Sequence, residues 1–267
     1  MAGGLVTSHQ AGLSVPDWPL SFGQVFPPMR GLMVWEHGHR LIAAFVGLLS
    51  LILTFWVTLK EKRKSLIGLA WFSLALVFLQ GLLGGLTVLL KLPASVSIAH
   101  AVIGQTFLGL VVVIAFLTSP YYERIRSSSL PRRDTKQVRL SLFCLAFVYI
   151  QLFLGATVRH TAHAMIEHIV FAIIVTGHIL GFAFYGVYRH PKQKNLMRFI
   201  GGMIAVLIAQ IFLGIGAFTL KILIPAVQTP TLAKVIFTVL HQTMGAVVLG
   251  FCILLWLFSL YPDQENQ

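Results

Sequence analysis

The sequence predicts an all-α integral membrane protein built from two pseudo-twofold-related four-helix bundles, and three observations support this prediction. The chain is 57% hydrophobic and 10% charged, with a mean hydropathy of +0.85, whereas a soluble domain has about 25% charged residues. A Gln/Gly and His/Gly pattern also recurs along the chain. The apolar residues fall in seven uncharged runs, each close to the ~20 residues that cross a membrane as a helix: 41–59, 65–90, 92–122, 140–158, 169–188, 199–220 and 235–262.

The net charge of +12 follows membrane topology and does not indicate nucleic-acid binding. Fourteen of the 20 Lys and Arg residues lie in three segments on one side of the predicted spans, 60–64, 124–139 and 189–198. The positive-inside rule places these segments and the C-terminus in the cytoplasm. The loops near 92, 160 and 226 then lie outside. We expect a multi-pass protein of a bacterial plasma membrane.

The repeats define a unit in which one helix runs outward and the next returns with a histidine in its early turns. Two units make a half, so the sequence predicts an N-terminal half-bundle (1–122), a cytoplasmic linker (123–139) and a C-terminal half-bundle (140–262). The repeated residues are Gln80 and Gly84, Gln151 and Gly155, Gln210 and Gly214 on outgoing helices, and His100 and Gly104, His241 and Gly245 on returning helices.

Four such units need eight helices, and seven long runs are visible. Residues 3–7 match the outer end of a first helix and lead into a long outside loop, residues 5–33. We expect a further helix of about 20 residues before them. The competing interpretation is a natural seven-helix variant.

Four histidines are the main candidate ligands. Each lies near the outside end of a returning helix, at similar depth, and a four-helix bundle opposes two of them across its core. Paired imidazoles in an apolar bundle are suited to the axial positions of a haem iron. The pairs are His39 with His100 and His168 with His241. Of the others, His178 is expected to be packed or hydrogen-bonded, and solvated side chains are expected for His9, His160, His163 and His190.

The two pairs differ in their neighbours. Glu36 shares a helix face with His39 and is followed by Arg40, and a carboxylate beside a bound group can accept a proton or stabilise a cation. The aligned positions of the second half hold Met165 and Ile169. The first pair therefore looks like a reactive site, with Glu36 and Arg40 as candidate catalytic residues, and the second like a cofactor site. The outside loop either covers the first site or is an ordinary membrane-interface loop.

These residues resemble the haem A synthase family. The resemblance rests on Pro16-Asp17-Trp18-Pro19, on Glu36-x-x-His39-Arg40 and on the later histidines, and it extends over nearly the whole chain from Gly3. It implies an oxidoreductase that converts the C8 methyl of haem O to the formyl group of haem A by successive hydroxylation, for cytochrome c oxidase. Water is the expected source of the oxygen, and an oxygen-activating route is the alternative. The resemblance also implies substrate haem O at His39 and His100, and haem b bound by His168 and His241.

The partners implied are haem O synthase, cytochrome oxidase assembly factors and membrane lipid, and a homo-oligomer is possible. Two other functions are compatible with paired histidines in a bundle. One is a membrane cytochrome b that transfers electrons, and the other is a haem carrier or transporter.

Overall fold

The computed structural model describes residues 1–127, 133–223 and 230–262. Part of the predicted linker, 128–132, and the centre of the predicted loop near 226 lie outside the described residues. Within them the regular structure is helical, apart from an isolated bridge between Ser21 and Gln24 and a π-helical turn at Thr219–Leu223. The helices are α1 (Ala2–Ser8), α2 (Met33–Lys60), α3 (Lys64–Leu89), α4 (Ala94–Leu117), α5 (Pro120–Ser127), α6 (Thr135–Thr161), α7 (Met165–Arg189), α8 (Lys194–Phe218) and α9 (Leu232–Leu260).

Seven of the described helices are long and apolar enough to cross a membrane: α2, α3, α4, α6, α7, α8 and α9. Large apolar side chains along them remain exposed, for example Phe78 at 68% and Phe184 at 75%. Such a surface suits lipid, in which a helix satisfies its own backbone hydrogen bonds. The all-α membrane fold predicted from the sequence is confirmed.

Two helix boundaries differ from the uncharged runs. Helix α2 begins at Met33, eight residues before the run 41–59, so its first two turns carry Glu36 and Arg40. These charges are tolerated because they bond to each other and to the preceding loop. The run 92–122 divides into α4 and α5, and Pro120 is the first residue of α5, where the missing amide hydrogen is not needed.

Short polar connections set which helices are neighbours. Glu61 accepts hydrogen bonds from the amides of Lys62 and Arg63 and from the Arg63 guanidinium at 2.6 Å. The Arg63 side chain and amide thereby lower the pKa of Glu61 to about 2. Because the connection is this short, α2 and α3 run antiparallel and pack against each other.

Asp134 caps the start of α6 by accepting the amides of Lys136 and Gln137, a typical N-cap arrangement. Its other oxygen accepts from Tyr185 at 2.8 Å and lies 2.9 Å from His190 Nε2. Partial burial raises the pKa of Asp134, but these hydrogen bonds outweigh it and hold the pKa below its usual range. The cap therefore stays ionised near neutral pH.

The chain forms two compact units. The first contains residues 1–107 and 210–244, and the second contains 108–209 and 245–267. Their boundaries fall inside α4, α8 and α9, so the units are drawn differently from the sequence halves 1–122 and 140–262. Those halves remain a prediction from the repeats.

Each unit has its own packing. In the second, the most deeply buried side chains are Ile179, Phe182, Met203, Leu249 and Cys252. In the first, α1 packs against α2, and α1 also meets α9 through a 3.1 Å hydrogen bond between the hydroxyls of its last residue, Ser8, and Thr238. The helical segment predicted at 3–7 is therefore present and ordered against its neighbours.

Candidate functional site

Glu36 is a buried carboxylate at the start of α2, with 4% of its surface exposed. One oxygen, Oε1, accepts a hydrogen bond from Arg40 Nη2 at 2.7 Å. The other, Oε2, accepts from the Ser14 hydroxyl and from the Val15 amide, both at 2.9 Å. Hydrogen bonds to ionised groups are roughly twice as strong as neutral ones. This carboxylate therefore joins α2 to the outside loop.

Arg40 holds the next part of the same loop. Its Nη1 donates to the carbonyl oxygens of Asp17 at 2.8 Å and Leu20 at 2.7 Å. The Asp17 carboxylate in turn accepts the amides of Gly23 and Phe22, and these bonds lower its pKa. A charged pair inside the first turns of α2 thus orders a loop that has little regular structure of its own.

The outside loop, residues 9–32, lies on the ends of α2 and α3. Val15 and Ser21 are fully buried. A Cβ added at Gly85 of α3 would lie 2.6 Å from the Trp18 ring, so the indole packs directly on the helix backbone. The neighbouring Gly84 faces His100. The loop therefore packs on α2 at Glu36 and on α3 at Gly85, and its role as a cover of the site stays a prediction.

His39 on α2 and His100 on α4 are brought together, as the repeats predict. Their ring centroids are 6.4 Å apart and their planes are at 83°. A metal–imidazole bond is about 2.0 Å and the nitrogen lies about 1.1 Å from the ring centre, so two imidazoles bound in line to one iron have centroids about 6.2 Å apart. The observed separation is close to this value. The Nδ1 atoms of both rings are buried without a hydrogen-bond partner.

A glycine backs each of the four candidate histidines. A Cβ added at the glycine would lie between 2.9 and 3.5 Å from the Cε1 atom of the ring. The sequence showed the glycines recurring but did not reveal that each is the contact point of an imidazole. The contacts are Gly3 with His39, Gly84 with His100, Gly155 with His168, and Gly214 with His241.

His168 and His241 lie in different compact units, so their predicted pairing stays a prediction. His241 Nδ1 is 3.2 Å from the backbone oxygen of Gln210. Because a carbonyl oxygen only accepts, Nδ1 is the donor in this contact. His168 contacts the side-chain amide of Gln151. Glu167, the residue before His168, is exposed.

Two histidines expected to be solvated have partners instead. His9 stacks on Trp35 with ring centroids 4.1 Å apart, and His190 bonds to Asp134. Helix ends and loops that pack on a neighbour can bury a histidine, which sequence position alone does not show. His178 is hydrogen-bonded to its own helix and contacts Phe147, as expected.

His37 has a polar contact that its position in the sequence did not indicate. This residue is 5% exposed, and its Nδ1 lies 2.8 Å from the buried Ser21 hydroxyl. Arg40 Nη1 approaches the same hydroxyl at 3.3 Å. His37 is therefore another anchor of the outside loop.

The fold and the site define a multi-span membrane protein in which His39 and His100 lie side by side and the loop 9–32 is bonded to Glu36 and Arg40 of the same helix as His39. A sequence profile of the family described as cytochrome oxidase assembly protein matches residues 1–167. The chain therefore belongs to this family, which is the haem A synthase family that the motifs resemble. The match includes Glu36, His39 and His100 and ends at residue 167. The resemblance was expected over nearly the whole chain, and the family match shows it for residues 1–167.

Curated relatives agree with the family match. The heme A synthase of Alkalihalophilus pseudofirmus is 27% identical over 166 residues, which cover 60% of this chain and 54% of the relative. The heme A synthase of Symbiobacterium thermophilum is 32% identical over 169 residues, covering 61% and 55%. That of Bacillus licheniformis is 27% identical over 167 residues, covering 62% and 55%. The chain spans about half the length of the curated relatives it matches.

Proposed function

We propose that this chain acts in haem A synthesis, as the membrane oxidoreductase that converts the C8 methyl of haem O to a formyl group for cytochrome c oxidase. The observation that carries the proposal is the 6.4 Å separation of the His39 and His100 rings. Both histidines lie within the matched residues 1–167, and His39 is on the same helix as Glu36. Relatives named heme A synthase support the same function.

In the proposed site His39 and His100 hold the iron of the substrate haem O. Water supplies the oxygen. The first oxidation takes one water and converts the methyl to a hydroxymethyl group, releasing two electrons and two protons. The second does the same and gives a gem-diol, which loses water to form the aldehyde. Each oxidation releases protons that must be accepted. In this proposal Glu36, which is paired with Arg40, accepts them or stabilises a cation.

The outside loop has a part in this proposal. Glu36 and Arg40 hold it over the ends of α2 and α3, where it limits access of bulk water to the reacting methyl. Exclusion of bulk water protects a reactive intermediate and strengthens the electrostatic interactions inside the site. The same two side chains thus serve loop closure and proton handling.

His168 and His241 are the residues proposed to hold haem b. An imidazole is a suitable donor for haem iron, and the contact of His241 Nδ1 with the Gln210 carbonyl would orient its ring. When bound, haem b would supply one-electron transfer away from the substrate site. No reaction step is assigned to His168 or His241 themselves.

The proposed setting is a bacterial plasma membrane, with the haem sites toward the outer face and the C-terminus in the cytoplasm. Haem O synthase is the proposed source of substrate, and cytochrome oxidase assembly factors are proposed to accept the product. Self-association into a homo-oligomer is compatible with the extensive apolar surface.

The test is expression in a host that makes haem O but not haem A, followed by pigment extraction. Haem A or hydroxylated haem O in cells with the wild-type chain supports the proposal, and unmodified pigment alone contradicts it in favour of a cytochrome b or a haem carrier. Glu36→Ala is expected to bind haem but yield less haem A. Glu167→Ala is the matched control, because it removes an exposed carboxylate from the first turn of α7, and it should not change the yield.

A further inference from the structure

Two repeat units share a contact between an outgoing helix and the histidine of the returning helix. In the first, Gln80 Nε2 on α3 donates to the backbone oxygen of His100 at 2.8 Å. In the second, Gln151 Nε2 on α6 donates to the backbone oxygen of His168 at 2.9 Å and also lies 3.1 Å from His168 Nδ1. The same glutamine of the same motif thus reaches the same point in both units.

Glycines on both helices make this contact possible. A Cβ added at Gly84, four residues after Gln80, would lie 3.3 Å from His100 Cε1, so the ring rests against the backbone of α3. A Cβ added at Gly104, four residues after His100, would lie 3.0 Å from Gln80 Nε2. Each glycine therefore leaves room for the polar side chain of the opposite helix. The Gln-x-x-x-Gly and His-x-x-x-Gly motifs of the first unit therefore fit each other reciprocally.

The contact also leaves buried polar atoms without partners. They are the Oε1 atoms of Gln80 and Gln151 and the Nδ1 atom of His100. A histidine that binds a metal through one ring nitrogen usually donates its other N–H to an acceptor. An amide Oε1 is such an acceptor, and the Gln151 contact shows that this amide reaches Nδ1. A ring that binds iron through Nε2 carries its proton on Nδ1, so Oε1 must be the amide atom that faces Nδ1 while Nε2 keeps its bond to the His168 backbone oxygen.

We propose that Gln80 and Gln151 are positioning residues for His100 and His168: each amide holds the histidine backbone and accepts the Nδ1–H bond when the ring binds haem iron through Nε2. The glycine behind each ring fixes its rotation. This inference rests on the proposed function, because it requires haem at these histidines. A hydrogen bond from Nδ1–H makes the imidazole a stronger donor to iron and stabilises the oxidised state.

The experiment uses the purified full chain reconstituted with haemin, with reduction potential and the electron paramagnetic resonance of the low-spin ferric haem as readouts. His100→Ala and His168→Ala assign the signals. Gln80→Met has nearly the same length but no amide, and it is expected to move the potential of the His100 signal to more positive values and to change its g values. Gln151→Met should do the same to the His168 signal.

A second pair of variants keeps the test informative if Gln80→Met does not fold. Gly104→Ala pushes the Gln80 amide away without removing it and improves helix propensity, so it is expected to reproduce the Gln80→Met shift. Gly81→Ala on α3 adds a Cβ that meets nothing within 4 Å and should leave both readouts at wild-type values.

Two results would overturn the inference in distinguishable ways. If His100→Ala abolishes a signal that Gln80→Met and Gly104→Ala leave unchanged, the glutamine does not position the ligand, although the haem site stands. If His100→Ala and His168→Ala leave every haem signal intact, the proposed haem sites themselves are wrong.

Discussion

Removing the Glu36 carboxylate is expected to release the outside loop as well as to lower haem A output. Glu36→Ala deletes the acceptor of three hydrogen bonds, from Ser14, Val15 and Arg40. Removing one partner of a buried ion pair costs about 3–5 kcal/mol. Arg40 keeps the carbonyl oxygens of Val15, Asp17 and Leu20 as acceptors. We therefore expect the lower limit, about 3 kcal/mol, which raises the opening equilibrium of the loop roughly 100-fold.

Hydrogen exchange of the loop amides in lipid nanodiscs measures this directly. In Glu36→Ala the amides of Val15 and Gly23 should exchange roughly 100-fold faster, while those in the middle of α2 keep their protection. Glu36→Gln retains one acceptor oxygen but loses the charge, so its effect should be smaller. Unchanged protection of Val15 in Glu36→Ala would refute the conclusion that this carboxylate holds the loop.

Three further predictions follow from the site and its surroundings. Asp134→Ala should destabilise α6 by about 1 kcal/mol while Asp134→Asn, which still caps, should lose less. Equal losses in thermal unfolding would mean that the contacts with Tyr185 and His190, and not the cap, carry the effect. His168→Ala or His241→Ala should abolish the low-spin haem b spectrum of the purified protein, and an unchanged spectrum would rule out that residue as a ligand. Amide hydrogen bonds lower the pKa of Asp17. Its stabilisation of the loop should therefore be complete above the ordinary pKa of 3.8 and be lost only as the pH falls through the lowered value. A loss of hydrogen-exchange protection in the loop already between pH 6 and 5 would contradict this.

The membrane fold was predictable because its signal is strong and local. Uncharged runs of about 20 residues correspond to spanning helices whatever their neighbours are. The exceptions are informative. Helix α2 begins at Met33 because Glu36 and Arg40 form an ion pair and bond to loop groups that lie 19 to 25 residues earlier in the chain. No local pattern shows such a partner.

The candidate site was predictable only in part. The repeats placed His39 and His100 at equal depth, and the structure brings them within 6.4 Å. The use of Glu36 and Arg40 to order the loop was missed, because helical spacing indicates which side chains share a face but not what folds over that face. The contact of Gln80 with His100 was missed for a similar reason. A bond from a side chain to the backbone of another helix does not depend on the residue type of its acceptor. The sequence therefore shows only that a glutamine recurs.

The central claim is that His39 and His100 together bind the substrate haem, and the content of haem O and its oxidation products per purified chain tests it most directly. The wild-type chain, expressed in a host that makes haem O, should hold about one such haem. His39→Ala and His100→Ala should each lose it while retaining haem b. His178→Ala, which removes a membrane-embedded histidine bonded to its own helix, should keep it. Retention of haem O by both His39→Ala and His100→Ala would contradict the account.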